Sequence, residues 1–222
     1  QHVFQALDTA TTDKPDEGAV GAGTGMICCD FKAGIGTSSR VVPLGDRQYT
    51  MGVLVNSNFG VMEHLKIDGF PVGRSLLHEQ GTYNRRVNNY GSIIVVVGTD
   101  LPLSAQQMNR VCRRAALGIG RVGSYGAHGS GEIIIGFSTC NEVPHRPTDL
   151  QDTVRMMRDS SLDPVYKSVI EATEESILNS LTTAVDMEGA GNNRVPAMKL
   201  NLLKGLLEHY QSVQRLVSTD PS

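Results

Sequence analysis

Gly91-Ser92-Ile93-Ile94-Val95-Val96-Val97-Gly98-Thr99-Asp100 is the stretch whose reading decides the fold. Its five successive β-branched residues, 93–97, suit a strand covered on both faces, and Gly98-Thr99-Asp100 closes it. Ser92 stands at the mouth of that strand, one residue after a glycine. Taken alone, the pair reads as a turn residue and an ordinary strand start. The chemical alternative is a bond at which the chain cuts itself. Cleavage there would leave Ser92 as a new N-terminus with its own base, the freed α-amine, whose pKa of about 8 suits proton transfer at neutral pH.

A second segment, His128-Gly129-Ser130-Gly131-Glu132-Ile133-Ile134-Ile135-Gly136-Phe137, repeats the same grammar of glycines, a serine and a short apolar strand. Period-2 geometry puts Ser130 and Glu132 on one face of an extended chain. A hydroxyl beside a carboxylate can hold and polarise an amine or a nucleophile; a solvent-facing Ser/Glu pair is the plainer account. His128 lies two residues before Ser130, so a Ser–His pair is conceivable, and a loop histidine at the rim of a pocket is the preferred reading.

Between the two strands, Ser104 to Gly118 predicts a helix. Ser104 is its N-cap and Gln107 completes a capping box. Met108, Val111, Cys112, Ala115 and Ala116 form one apolar stripe, and Arg110, Arg113 and Arg114 read as a solvated face.

Together, 91–103, Arg113-Arg114-Ala115-Ala116-Leu117-Gly118-Ile119-Gly120-Arg121 and Gly129-Ser130-Gly131-Glu132-Ile133 closely resemble the self-processing aminopeptidases of the DmpA/BapA type, the L-aminopeptidase/D-esterases. Val20-Gly21-Ala22-Gly23-Thr24-Gly25-Met26, Phe31-Lys32-Ala33-Gly34-Ile35-Gly36-Thr37-Ser38-Ser39-Arg40 and Gly52-Val53-Leu54-Val55-Asn56-Ser57-Asn58-Phe59-Gly60 also resemble that family. The resemblance implies cleavage between Gly91 and Ser92, giving an α segment, 1–91, and a β segment, 92–222, with Ser92 as nucleophile. Ser130 and Glu132 match the family's Gly-Ser-Gly-Glu motif and would orient the Ser92 amine and hydroxyl. Asn58 matches the asparagine of Val-x-Asn-(Tyr/Phe)-Gly and would help form an oxyanion hole; Asn56, two residues earlier, shares its strand face.

Strands flanked by helices give an α/β reading, and the length is most simply that of a single domain over 1–222. The resemblance further implies a four-layer αββα sandwich similar to N-terminal-nucleophile hydrolases, assembled as a tetramer or octamer. It implies an aminopeptidase acting on short peptides, amides or esters through an acyl-Ser92 intermediate, with no cofactor and no metal. The family carries a long stretch ahead of its Val-Gly-Ala-Gly-Thr-Gly block, so the chain is expected to lack the family's N-terminal portion, and His2 to Thr11 reads as the tail of a helix. In an uncut chain Ser92 has no free amine and activity is expected to be low. The alternatives are an acyltransferase of related fold, against which a serine rather than a threonine speaks, and an inactive homologue with a structural or binding role.

Composition bounds the rest. At 222 residues and 40% hydrophobic, the chain can bury a sizeable core. A net charge of −3 makes neither nucleic acid nor an anionic membrane an evident partner. No apolar run approaches the roughly 20 residues of a membrane span. No signal peptide is visible, although a missing N-terminal portion would hide one, and a cytoplasmic location is the favoured expectation. Cys28, Cys29, Cys112 and Cys140 lack chelating spacing and read as reduced, partly buried thiols. Gly21-Ala22-Gly23-Thr24-Gly25 reads as tight turns near the site rather than a nucleotide loop.

Towards the C-terminus, Asp163-Pro164 opens a helix with Val165, Val169, Ile170, Thr173, Ile177, Leu178 and Leu181 as its buried stripe and Glu171, Glu174 and Glu175 on its solvated side. Residues 186–195 read as a loop, and 197–217 as a last amphipathic helix. The stretch 79–89 reads as an exposed linker, suited to a segment that must detach after cleavage.

Overall fold

The protein is described by a computed structural model at residues 1–80, 91–146 and 150–218. Its elements run in the order α1 (His2–Asp8), β1 (Ile27–Cys28), β2 (Phe31–Lys32), β3 (Ile35–Leu44), β4 (Arg47–Asn58), α2 (Val72–Gln80), β5 (Ser92–Thr99), α3 (Ala105–Arg121), β6 (Gly131–Ser138), α4 (Asp163–Thr182), β7 (Met187–Glu188), β8 (Arg194–Val195) and α5 (Leu200–Ser218).

The main sheet has the order β3-β4-β5-β6. The β3–β4 and β4–β5 pairs are antiparallel, and β5–β6 is parallel. Parallel neighbours need a crossover, which α3 supplies. The Ser104–Gln107 capping box starts that helix as the sequence predicts: Ser104 Oγ accepts the Gln107 N–H and Gln107 Oε1 accepts the Ser104 N–H, each at 3.2 Å.

Helices α3 and α4 cover one face of the sheet. Val53 and Val55 of β4 and Ile93, Val95 and Val97 of β5 are buried beneath them. The expectation that β5 is covered on both faces is not met by the described residues. Its burial alternates, with Ile94 42% exposed, and on the neighbouring strand Ile133, Ile135 and Phe137 are each more than half exposed. The reason is topological: both packing helices lie on one side.

The α4 helix comes unusually close to the sheet. A Cβ on Gly36 of β3 would overlap the Ser176 carbonyl oxygen. That approach explains a feature the leucine-and-valine stripe did not predict, a buried ridge of Ser168, Ala172, Thr173, Ser176 and Ser180. Each hydroxyl of this ridge donates to a carbonyl of its own helix, for example Ser176 Oγ to Ala172 O at 2.7 Å, so none is buried unsatisfied. Val165, Val169, Thr173, Ile177 and Leu181 are buried as predicted, whereas Ile170 and Leu178 are only partly buried. The glutamates are not all idle on the solvated side: Glu175 and Glu171 pair with Arg40, and Glu174 with Arg121.

Smaller differences have local causes. The predicted 186–195 loop holds a two-stranded hairpin, β7–β8, turned at Gly191 and Asn192, both at positive φ. The last helix starts at Leu200, not 197, because Ala197 is held by Asp186 and Met198 is tucked into the core. The predicted linker begins inside α2, which runs to Gln80, and 81–89 lie outside the described residues. The cysteines are free thiols, with Cys28, Cys29 and Cys112 buried and Cys140 half-buried. Among the described residues no helix is long and apolar enough to cross a membrane.

Candidate active site

Three strand ends meet at one end of the sheet. In the β-ladder Asn58, the last residue of β4, lies directly across from Ser92, the first of β5. Ser92 in turn lies across from Gly131, the first of β6. Residues paired across a sheet project to the same face, so Asn58 and Ser92 share the face that the helices leave open. Asn56 is on that face too, but it pairs with Ile94, one step further in. The register thus separates the two asparagines that the sequence put on one face.

Ser92 is exposed, and its Oγ accepts the Gly131 N–H at 3.2 Å. One lone pair is used in this way, and the hydroxyl hydrogen stays available to a base. Ser130 donates to Glu132 Oε1 at 3.1 Å, so the predicted pairing of these side chains is present. By register Glu132 is paired with Ile93, on the helix-covered face. Ser92 and the Ser130–Glu132 pair therefore flank the Gly131 peptide from opposite sides, and no hydrogen bond joins them directly. His128 is exposed in the loop before β6.

Gly91 is buried against β4. A Cβ there would overlap the Asn58 carbonyl oxygen, and would lie 2.6 Å from the Asn58 carbonyl carbon and 3.0 Å from Phe59 Cα. Glycine is required at this position by close backbone approach rather than by an unusual φ. Beside it lies a cavity of 30 Å³, enough for about one water molecule. Its lining includes Gly91, Ser130, His64 and Tyr125, the last two in an edge-to-face contact with ring centroids 5.3 Å apart.

The β1–β2 hairpin clamps the Asn58 end of β4. Ile27 N–H donates to Asn58 Oδ1 at 3.1 Å, Cys29 N–H to Phe59 O at 2.8 Å, and Met62 N–H to Asp30 Oδ2 at 2.9 Å. Cys29 and Asp30 both adopt positive φ to make the turn. The glycine-rich 21–25 stretch forms a single helical turn over Gly21–Gly23 against β3 and β4, with Ala22 O accepting from Asn56 Nδ2 at 3.4 Å. Two groups at this end of the sheet carry no readable signal in the sequence: the Gly131 N–H, which belongs to the backbone, and Lys32, whose buried Nζ donates to Met26 O at 2.7 Å beside the hairpin.

A serine at the head of a central strand, preceded by a glycine with no room for a side chain, is the layout expected of an N-terminal-nucleophile hydrolase. The chain belongs to peptidase family S58, whose model matches residues 1–195. It is similar to the beta-peptidyl aminopeptidase BapA of Sphingosinicella microcystinivorans, with 36% identity over 222 residues, 95% of this chain and 56% of that one. Its counterpart from Sphingosinicella xenopeptidilytica is 39% identical over 208 residues, 87% of this chain and 51% of that one. The chain thus spans about half the length of the curated relatives it matches.

Among solved structures, the L-aminopeptidase D-Ala-esterase/amidase of Ochrobactrum anthropi superposes with a TM-score of 0.87 at 40% identity, covering 94% of this chain and 57% of that one. That enzyme is described as a prototype of the serine aminopeptidases and a new variant among the Ntn hydrolase fold. The PH0078 protein of Pyrococcus horikoshii OT3 superposes with a TM-score of 0.85 at 41% identity, covering 95% of this chain and 56% of that one. The α/β fold is therefore that of the DmpA-type Ntn hydrolases, and the described residues supply a helix layer and a sheet layer of it.

Proposed function

We propose that the chain forms the catalytic part of a serine aminopeptidase that activates itself by cutting between Gly91 and Ser92. The observation that carries this reading is the convergence of Asn58, Ser92 and Gly131 at three strand ends, with Gly91 wedged against β4. In self-cleavage the Ser92 hydroxyl attacks the Gly91 carbonyl carbon. The Gly91–Ser92 C–N bond then breaks to leave an ester, and water hydrolyses that ester. The products are a Gly91 carboxylate ending the 1–91 segment and a free amine on Ser92, which begins the 92–222 segment.

The new amine then serves as the base that the intact chain lacks. It takes the hydroxyl proton as Ser92 attacks the substrate carbonyl, and returns a proton to the leaving amine. Ser130 and Glu132, already bonded to each other, orient that amine once the strand end is released. The Asn58 side-chain amide faces the oxyanion; removing one such donor typically costs about 3–4 kcal/mol of transition-state stabilisation. The substrates are short peptides, amides or esters with a free N-terminal residue, and the acyl group is carried on Ser92. The uncovered apolar face of Ile94, Ile133, Ile135 and Phe137 supports burial against further protein, the place of the second sheet in an αββα sandwich. The assembly is a homo-oligomer, a tetramer or octamer, as the family resemblance implies.

Intact-mass measurement on the purified protein tests the reading. Two fragments dividing between Gly91 and Ser92 are expected, and Ser92→Ala is expected to remain whole and to release no p-nitroaniline from an aminoacyl p-nitroanilide. Full hydrolysis by the Ser92→Ala protein would refute the nucleophile assignment.

A further inference from the structure

We infer that Lys32 is a positioning residue for Asn58, acting through the single peptide group that joins Met26 to Ile27. Lys32 is 2% exposed, and among the described residues no carboxylate pairs with it. Its Nζ instead donates to three backbone oxygens: Met26 O and Ala33 O at 2.7 Å and Gly23 O at 3.2 Å. The oxygen of Met26 and the N–H of Ile27 are the two ends of one planar peptide unit, pointing in opposite directions. At the second end the N–H donates to Asn58 Oδ1 at 3.1 Å. An ammonium and the side chain proposed to bind the oxyanion are thus joined through one amide.

The arrangement does two things. It fixes which end of the Asn58 amide is oxygen, so that the donor end, Nδ2, is the one turned away from the hairpin. It also polarises the relay. A cation on the peptide oxygen draws electron density toward it and makes the Ile27 N–H a stronger donor, as charge-assisted and cooperative hydrogen bonds do. A neutral side chain could fill the same space without the cost of burying a charge. Desolvation at this position pushes the lysine pKa down, the expected sign for an ammonium in such a place.

The inference builds on the oxyanion role of Asn58, and its test separates the two. Lys32→Met, Lys32→Gln, Asn58→Ala and the corresponding doubles are compared in the full protein for self-cleavage and for p-nitroanilide turnover. With an oxyanion donor worth about 100–1,000-fold and an outer partner worth about 10–100-fold, Lys32→Met is expected to lower kcat with KM nearly unchanged. Lys32→Gln, which keeps a donor, should recover part of that loss. In the Asn58→Ala background neither Lys32 change should lower kcat further, because the group they act on is gone.

Full additivity of the losses, or a change in KM alone, overturns the inference. Should Lys32→Met not fold, the Lys32→Gln pair in the two backgrounds carries the same comparison. A readout independent of turnover is the ¹⁵N-resolved signal of the Asn58 side-chain amide in Ser92→Ala protein. It is expected to shift or broaden in Lys32→Gln, and an unchanged signal overturns the inference even where the enzyme reading stands. A shifted signal, where the parent protein with Ser92 intact neither cleaves nor hydrolyses, supports the relay while the enzyme reading fails.

Discussion

Replacing Gly91 with alanine isolates the steric claim on which the cleavage site stands. The new methyl would overlap the Asn58 carbonyl oxygen and sit 2.6 Å from its carbon, where ordinary contacts to a Cβ begin at 3.4 Å. The obstacle is backbone on an antiparallel neighbour, so it cannot rotate away. The ends of β4 and β5 must part by roughly an ångström, a misplacement that typically costs about 100-fold in rate. Overpacking of this kind also destabilises by about 1–3 kcal/mol.

Stability loss alone could slow cleavage, so the comparison is with Gly36→Ala. There the added methyl overlaps the Ser176 carbonyl oxygen and lies 2.7 Å from Ser180 N, a clash of the same kind between β3 and α4. Both variants are expected to unfold at lower temperature than the parent. Only Gly91→Ala is expected to slow the appearance of the 92–222 fragment about 100-fold, followed by intact mass at a temperature where both variants are folded. Cleavage of Gly91→Ala at the parental rate would refute the wedge. Equal slowing by Gly36→Ala would show that general loosening, not misplacement of the bond, is responsible.

Two further outcomes concern stability. Ser104→Ala removes one half of the α3 capping box and is expected to cost about 1 kcal/mol, lowering the melting temperature by about 2–4 °C in calorimetry. Glu175 accepts from Ser38 Oγ at 2.6 Å and pairs with Arg40; these two bonds, partly opposed by desolvation, hold its carboxyl below its ordinary value of 4.5. A depressed carboxylate contributes stability that is present above the unfolded-state pKa and lost as pH falls through the folded-state pKa. The difference in stability between parent and Glu175→Gln should therefore be constant at neutral pH and shrink below about pH 4.5. Because the side chain is 47% exposed, the difference stays under about 1 kcal/mol, and a gap that widens on acidification would contradict the pairing.

Local chemistry made much of this protein legible in its sequence. The two glycine-serine strand starts, the Ser104 cap with Gln107 three residues on, and Pro164 at the head of α4 each depend on residues a few positions apart. Side-chain type and short-range spacing determine such features, and all three stand in the fold. Ser130 and Glu132 meet for the same reason, being two residues apart on an extended chain.

What tertiary structure alone decided was register and layering. Asn58 faces Ser92 because β4 and β5 pair with no slip, and a one-residue shift would turn one of the two to the other face. Which side of β5 is covered followed from where α3 and α4 land, and neither helix encodes that locally. Backbone groups also carry no side-chain letter: the Gly131 N–H reaches Ser92 across 39 residues, and the Ile27 N–H reaches Asn58 across 31. The sequence by itself named the hydroxyls, the carboxylate and the asparagine. The sheet placed them at one end, and the backbone between Lys32 and Asn58 set how one of them points.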